Sequence, residues 1–185
     1  LLAGWRLYLC IFATGLAMRL DALPLPEHLA ALDVLASPWV MGAAAAAAIA
    51  EFLADKVMWL DSIWDAAHTF VRPVGGALLA LAIIDPADPA TQVIAFLLGG
   101  GASFAAHAGK AGARGVVNAS PEPVSNIAVS TAEDVATVGL LYLAYEFPLI
   151  AAGIAIVLLA LTVWLLLLGR RIIGRLCGRR QPPPP

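Results

Sequence analysis

From Pro148 to Gly169 the chain runs PLIAAGIAIVLLALTVWLLLLG, 22 residues without one ionisable side chain. A helix of about 20 such residues crosses the hydrocarbon core of a bilayer, and in water it would have to be wrapped on every side. The rest of the chain cannot wrap it. Of 185 residues, 61% are hydrophobic and 13% charged, against about 45–50% and about 25% in soluble domains. So few polar side chains cannot cover a small domain's surface, and the sequence predicts an integral membrane protein.

Further apolar runs, bounded by proline, glycine or charge, lie near residues 3–20, 38–56, 68–84, 92–110 and 130–146. Together they predict an all-α, polytopic membrane helix bundle of about six spans, occupying residues 1–170 as one domain. Residues 171–185 follow as a basic, proline-rich tail. The first segment lacks a small-residue cleavage site and reads as a retained helix. Asp85-Pro86 with Asp88-Pro89, and Glu146-Phe147-Pro148, mark tight turns between antiparallel helices. In the longer connection, LPEHLAALDVLA has the pattern of a short amphipathic helix at the interface. Orientation follows from the short loops. Arg170, Arg171, Arg175, Arg179 and Arg180, the Lys56 and Arg72 loop, and the Lys110 and Arg114 loop would share the cytoplasmic side with both termini.

At an offset of 62 residues, TFVRPVGGALLALA (69–82) aligns with TAEDVATVGLLYLA (131–144), and at an offset of 54 ADK at 54–56 aligns with AGK at 108–110. Two helical hairpins, 38–84 and 92–146, therefore form a candidate parallel repeat. The alignment sets Arg72 against Asp134, which suggests an ion pair across a pseudo-twofold axis, or two charges separately solvated at the headgroups. Ser130 and Thr131 before Glu133 and Asp134 also fit a helix N-cap with an acidic first turn.

The ionisable side chains concentrate in EFLADKVMWLDSIWDAAHTFVRP, residues 51–73. Glu51 follows eleven uncharged residues, and a carboxylate in hydrocarbon costs about 2.5–3.5 kcal/mol, so it must face a bundle interior, a partner or water. It serves either transport or a structural ion pair. Asp55 and Lys56 fit the helix end. Asp61, Asp65 and His68 fall at spacings of four and three on one helical face. A solvated amphipathic turn, a proton relay and a divalent-metal face all fit that spacing, but no complete first shell accompanies it, so no metal or other cofactor is expected. His107 and Lys110 follow Gly99-Gly100-Gly101, a run suited to close helix packing. The segment 114–134 is rich in Asn118, Ser120, Glu122, Ser125 and Asn126 around Pro121 and Pro123. It reads as a surface loop or as a re-entrant segment dipping into a water-lined cavity.

EFLADKVMWLDSIWDAAHTFVRPVGGALLA together with VNASPEPVSNIAVSTAEDVA closely resembles the bacterial membrane family DUF4126, a domain of unknown function, from about residue 4 to 168. The resemblance rests on EF-ADK, LDS-WD-HTF-RP and NASPEP-SN patterns. It implies a membrane fold in the bacterial cytoplasmic membrane and marks Glu51, Asp55, Lys56, Asp61, Ser62, Asp65, His68, Thr69, Arg72 and Pro73. It also marks Asn118, Ser120, Glu122, Ser125, Asn126, Glu133 and Asp134. No reaction or substrate comes with it.

These features favour a small transporter or channel for a cation, a proton or a small anionic solute. Its pathway would be built from the two cytoplasmic-side loops, with Glu51, Asp65 and Asp134 as acid sites and Arg72 and Lys110 as counter-charges. A non-catalytic membrane subunit, binding a partner complex or lipid headgroups, is the alternative. An intramembrane lipid-modifying enzyme ranks last, because no nucleophile with a paired base is present. The lipid bilayer is the expected environment, a homodimer or larger membrane assembly is compatible with it, and nothing suggests nucleic acid.

Overall fold

The computed structural model describes residues 1–20, 27–82, 88–118 and 123–178. All regular structure among them is helical: α1 (Leu2–Arg19), a 3-10 segment (Glu27–Ala36), α2 (Pro38–Ala54), α3 (Met58–Ala82), α4 (Pro89–Asn118), α5 (Pro123–Glu146) and α6 (Pro148–Gly178). Proline occupies the first position of α2, α4, α5 and α6, where its missing N–H costs nothing and its fixed φ favours the first turn. Asp88 precedes α4 and accepts hydrogen bonds from the Thr91 hydroxyl and from the backbone N–H groups of Thr91 and Ala90. Those bonds hold its exposed carboxyl below the usual carboxylate range.

Three helical stretches, Pro89–Val116, Ile127–Glu146 and Pro148–Ile172, are long and apolar enough to cross a membrane, and Pro38–Ala54 is a shorter apolar helix. Polarity is inverted relative to a soluble domain. Trp39, Phe70 and Leu149 are 80–88% exposed, while Arg72, Asp55, Glu51, Asp61 and Arg114 are at most 1% exposed. Apolar side chains outside and charges inside suit a hydrocarbon solvent.

Several boundaries differ from those expected. Only residues 55–57 separate α2 from α3, so the amphipathic stretch 58–67 is the opening of one 25-residue helix rather than a loop. Likewise α4 continues to Asn118 and α5 begins at Pro123, so most of 114–130 is helical and only 119–122 lies outside the described residues. Ser130 and Thr131 are not a cap. Pro123 starts the helix earlier, and Thr131 Oγ1 donates to the Ile127 carbonyl 2.8 Å away within the same helix. Of the basic tail, residues 171–178 extend α6. The connecting segment near 27–36 does form a short helix, of 3-10 type, and its Leu32 and Leu35 pack with Met18 of α1.

Helix α1 is kinked at Arg6 (φ −143°, ψ 71°). Close helix contacts rest on specific glycines. A Cβ on Gly99 would lie 2.4 Å from Ala80 Cβ and 2.6 Å from the Gly76 carbonyl oxygen, and one on Gly4 would lie 2.2 Å from the Ser103 carbonyl oxygen. Within the Gly99-Gly100-Gly101 run the requirement falls on the first, since a Cβ on Gly101 meets nothing within 4 Å. Gly99→Leu is therefore expected to destabilise the protein by about 3 kcal/mol or more through overpacking. Gly101→Ala should be neutral or slightly stabilising. Equilibrium unfolding of both variants in SDS-containing mixed micelles checks the contrast.

Candidate functional site

The buried charges gather where the start of α1, the end of α2, the first two-thirds of α3, the second half of α4 and the first half of α5 meet. Their ion pairs divide into two groups.

The first group is centred on Arg72. Its Nη2 donates to Glu51 Oε1 at 2.6 Å, and its Nη1 donates to Asp65 Oδ1 at 3.0 Å, to His107 Nδ1 at 2.7 Å and, more weakly, to the Gly4 carbonyl at 3.4 Å. A guanidinium only donates, so His107 Nδ1 is the acceptor and the ring proton sits on Nε2. That nitrogen faces Thr69 Oγ1 at 3.3 Å, and the Thr69 hydroxyl donates to the Asp65 carbonyl at 3.1 Å. His107 is thereby held as a neutral ring. Ser103 Oγ donates to the Arg72 carbonyl at 2.8 Å and ties α4 to α3 behind the group.

The second group is centred on Asp55, which is fully buried and meets Arg6, Lys110 at 3.1 Å and Arg114 at 3.4 Å. Arg114 also reaches Asp61 at 3.3 Å and Glu133 at 3.7 Å. Lys110 reaches Glu133 at 3.7 Å, and Arg6 contacts Asp134 at 2.6 Å. Lys56 closes the group. It donates to Ser130 Oγ, lies 3.3 Å from Asp134 and stands 4.2 Å above the Phe52 ring.

Asp61, Asp65 and His68 share the buried face of α3 that their spacing indicates, yet each engages a different partner. Asp61 goes to Arg114 and Asp65 to Arg72. His68 Nδ1 donates to the Trp64 carbonyl at 2.7 Å, Tyr8 OH lies 2.9 Å from Nε2, and the ring stacks on Trp64 with centroids 4.4 Å apart. The three do not converge on one reacting position, as acid/base work on a lipid would require. The pairing of Arg72 with Asp134 is also corrected. Arg72 is taken by Glu51 and Asp65, and Asp134 by Arg6 and Lys56.

Of the other expected site residues, Glu51, Asp55, Lys56, His107, Lys110, Glu133 and Asp134 all enter the two groups. Ser120 and Glu122 lie outside the described residues, as do the side chains of Asn118, Ser125 and Asn126. The structure adds Arg6, Arg114 and Ser130. Arg6 was legible as a lone cation inside the apolar run LLAGWRLYLCIF, where a charge needs a partner.

The DUF4126 domain of unknown function matches residues 1–167. The chain belongs to the DUF4126 family. No curated protein and no solved structure matches it. For this DUF4126 chain the chemistry must therefore be argued from the charges. The second group balances, with Arg6, Lys56, Lys110 and Arg114 against Asp55, Asp61, Glu133 and Asp134. The first does not balance by itself: among the described residues Arg72 is the one cation in ion-pair contact with Glu51 and Asp65, and His107 is neutral. Glu51 Oε2 is buried and makes no hydrogen bond among the described residues.

Proposed function

We propose that the protein is a small membrane transporter that moves a proton or a monovalent cation, with Glu51 and Asp65 around Arg72 as the binding site. The observation that carries this reading is the uncompensated negative charge of that group, together with the free oxygen of Glu51. A second carboxylate beside a single buried guanidinium is stabilised by taking up one positive charge. The proton goes to Glu51 Oε2, the oxygen without a donor, while Oε1 keeps its bond to Arg72. Loading would loosen the hold of Glu51 on Arg72 and bias the bundle towards a second arrangement.

The six-span bundle with both termini on the cytoplasmic side agrees with this site. The candidate hairpins, α2 with α3 and α4 with α5, contribute both ion-pair groups between them, and α1 adds Arg6. A parallel repeat joined around a shared polar centre is a recurrent transporter design. The closure of the network, with Arg72 and Asp55 fully buried, also favours a second reading, a membrane subunit braced by the same charges.

Flux separates the two. Purified protein in proteoliposomes, carrying an internal pH dye and challenged with proton, sodium and potassium gradients, is expected to conduct one of these ions. Glu51→Gln, which mimics the loaded site, should lower that flux by at least about tenfold, as expected when binding and release no longer cycle. Absence of flux under every gradient, from protein that is folded and monodisperse, transfers the case to the subunit reading.

A further inference from the structure

A cavity of about 810 Å³ opens between α4 and α6, beside Trp5 of α1. That is within the range of about 300–1,000 Å³ typical of ligand sites. Its α4 wall is made of small residues, among them Gly109 and Ala113, and its α6 wall of Leu165 and Leu166. At Gly109 the two helices touch, since a Cβ there would lie 2.5 Å from the Thr162 methyl. Charge enters the lining at Lys110, Glu133 and Arg170.

These charges are unequal in availability. The Lys110 ammonium is committed to Asp55 and Glu133, and Glu133 is shared among Lys110, Arg114 and Arg6. Arg170 is exposed and has no ion pair among the described residues. The exposed Arg171 and Arg175 follow it on the last turns of α6. The cavity thus combines an apolar wall, running along helices apolar enough to cross a membrane, with an uncompensated cationic mouth.

We infer that this cavity binds an anionic phospholipid, its acyl chain lying between α4 and α6 and its phosphate meeting Arg170. A chain in the cleft covers the small-residue wall that the α4 and α6 side chains leave open. A phosphate accepts paired N–H bonds from a guanidinium, which a zwitterionic headgroup partly cancels with its own cation.

Two tryptophans provide the test. Trp5 lines the cavity, whereas Trp164 is 57% exposed on α6 and outside it. Full-length single-tryptophan variants, each with the other four tryptophans changed to phenylalanine, are placed in bilayers containing brominated phosphatidylglycerol or brominated phosphatidylcholine. Trp5 fluorescence should be quenched at several-fold lower mole fraction of the phosphatidylglycerol, and Arg170→Gln should remove about fivefold of that preference. Trp164 should be quenched equally by both lipids. Equal quenching of Trp5 by the two lipids would show an unselective groove and overturn the proposal. So would no quenching of Trp5 in a protein that cross-links as a dimer, which assigns the cleft to a second copy. Native mass spectrometry of the unaltered chain, released from mixed phosphatidylglycerol and phosphatidylcholine micelles, gives an independent readout. Retention of phosphatidylglycerol that drops with Arg170→Gln supports the site, and indifferent retention refutes it.

Discussion

Arg72→Met is expected to destabilise the folded protein by about 3–5 kcal/mol, because it removes the cation paired with two buried carboxylates. Glu51 is 1% exposed and lies 2.6 Å from the guanidinium, and Asp65 is 6% exposed and lies 3.0 Å away. Without Arg72 both carboxylates must take up protons or draw in water, and His107 Nδ1 loses its donor. The methionine fills much of the volume of the arginine stem, so the loss reports charge more than cavity. Two further variants test the cause. Arg72→Lys should recover only part of the stability, since one ammonium cannot reproduce the forked contacts to Glu51 and Asp65. The triple variant Arg72→Met, Glu51→Gln, Asp65→Asn should recover most of it, because neutral partners no longer need the cation. Unfolding free energies in mixed SDS micelles give the measurement. A single Arg72→Met change costing under about 1 kcal/mol would mean that water already solvates the group, against the burial argued above.

How far such a group can be read from sequence depends on the kind of signal each residue carries. The apolar run 148–169 specifies α6 almost by itself, and proline before an apolar run marks the starts of α2, α4 and α6. Glu51 is legible as an ionisable group after eleven uncharged residues, and its burial follows from that. The partner of each charge is not legible, because pairing is decided across helices. Arg72 lies seven residues from Asp65, about two helical turns, and 21 from Glu51; only the packing of α2 on α3 selects both over Asp134. Sequence alignment of the two hairpins compares positions along the chain, whereas electrostatics compares distances in space, and here the two disagree. The partners of Arg6 are hidden for a related reason. At the head of an apolar helix it resembles a flanking positive charge, and its role depends on the local kink and on Asp55 and Asp134 arriving from α2 and α5. In the stretch 58–67, polar residues among aromatics suggest an interfacial segment between two spans. Their spacing of four and three places the polar groups on one face of a helix, and that face is covered by α1 and α4 through His68 with Tyr8 and Asp61 with Arg114.

The other large effect is expected at Asp55, which holds three cations with one carboxylate. Asp55→Asn keeps the shape and removes one negative charge, leaving Arg6, Lys110 and Arg114 at close quarters in a buried site. Like charges brought together out of water repel, and the expected loss is again about 3–5 kcal/mol, read in the same micelle titration. The decisive comparison is a double-mutant cycle with Lys110→Met. Lys110 alone is the less costly loss, because Asp55 then keeps Arg6 and Arg114, and Glu133 keeps Arg114. Combined with Asp55→Asn it restores the balance of the second group to three cations against three carboxylates. The double variant should therefore be more stable than the sum of the singles by about 1–3 kcal/mol. Additivity within about 0.5 kcal/mol would show that the contact between Asp55 and Lys110 carries no coupling. Because Asp55 is paired with Arg6, Lys110 and Arg114 and the proposed ion site lies around Arg72, Asp55→Asn should also leave ion selectivity in the flux assay unchanged where enough folded protein survives. Glu51→Gln should lower flux by at least about tenfold with little loss of stability, since it removes the charge that Arg72 does not balance. Opposite rankings in the two assays would distinguish the charges that hold the bundle together from the one that works in it.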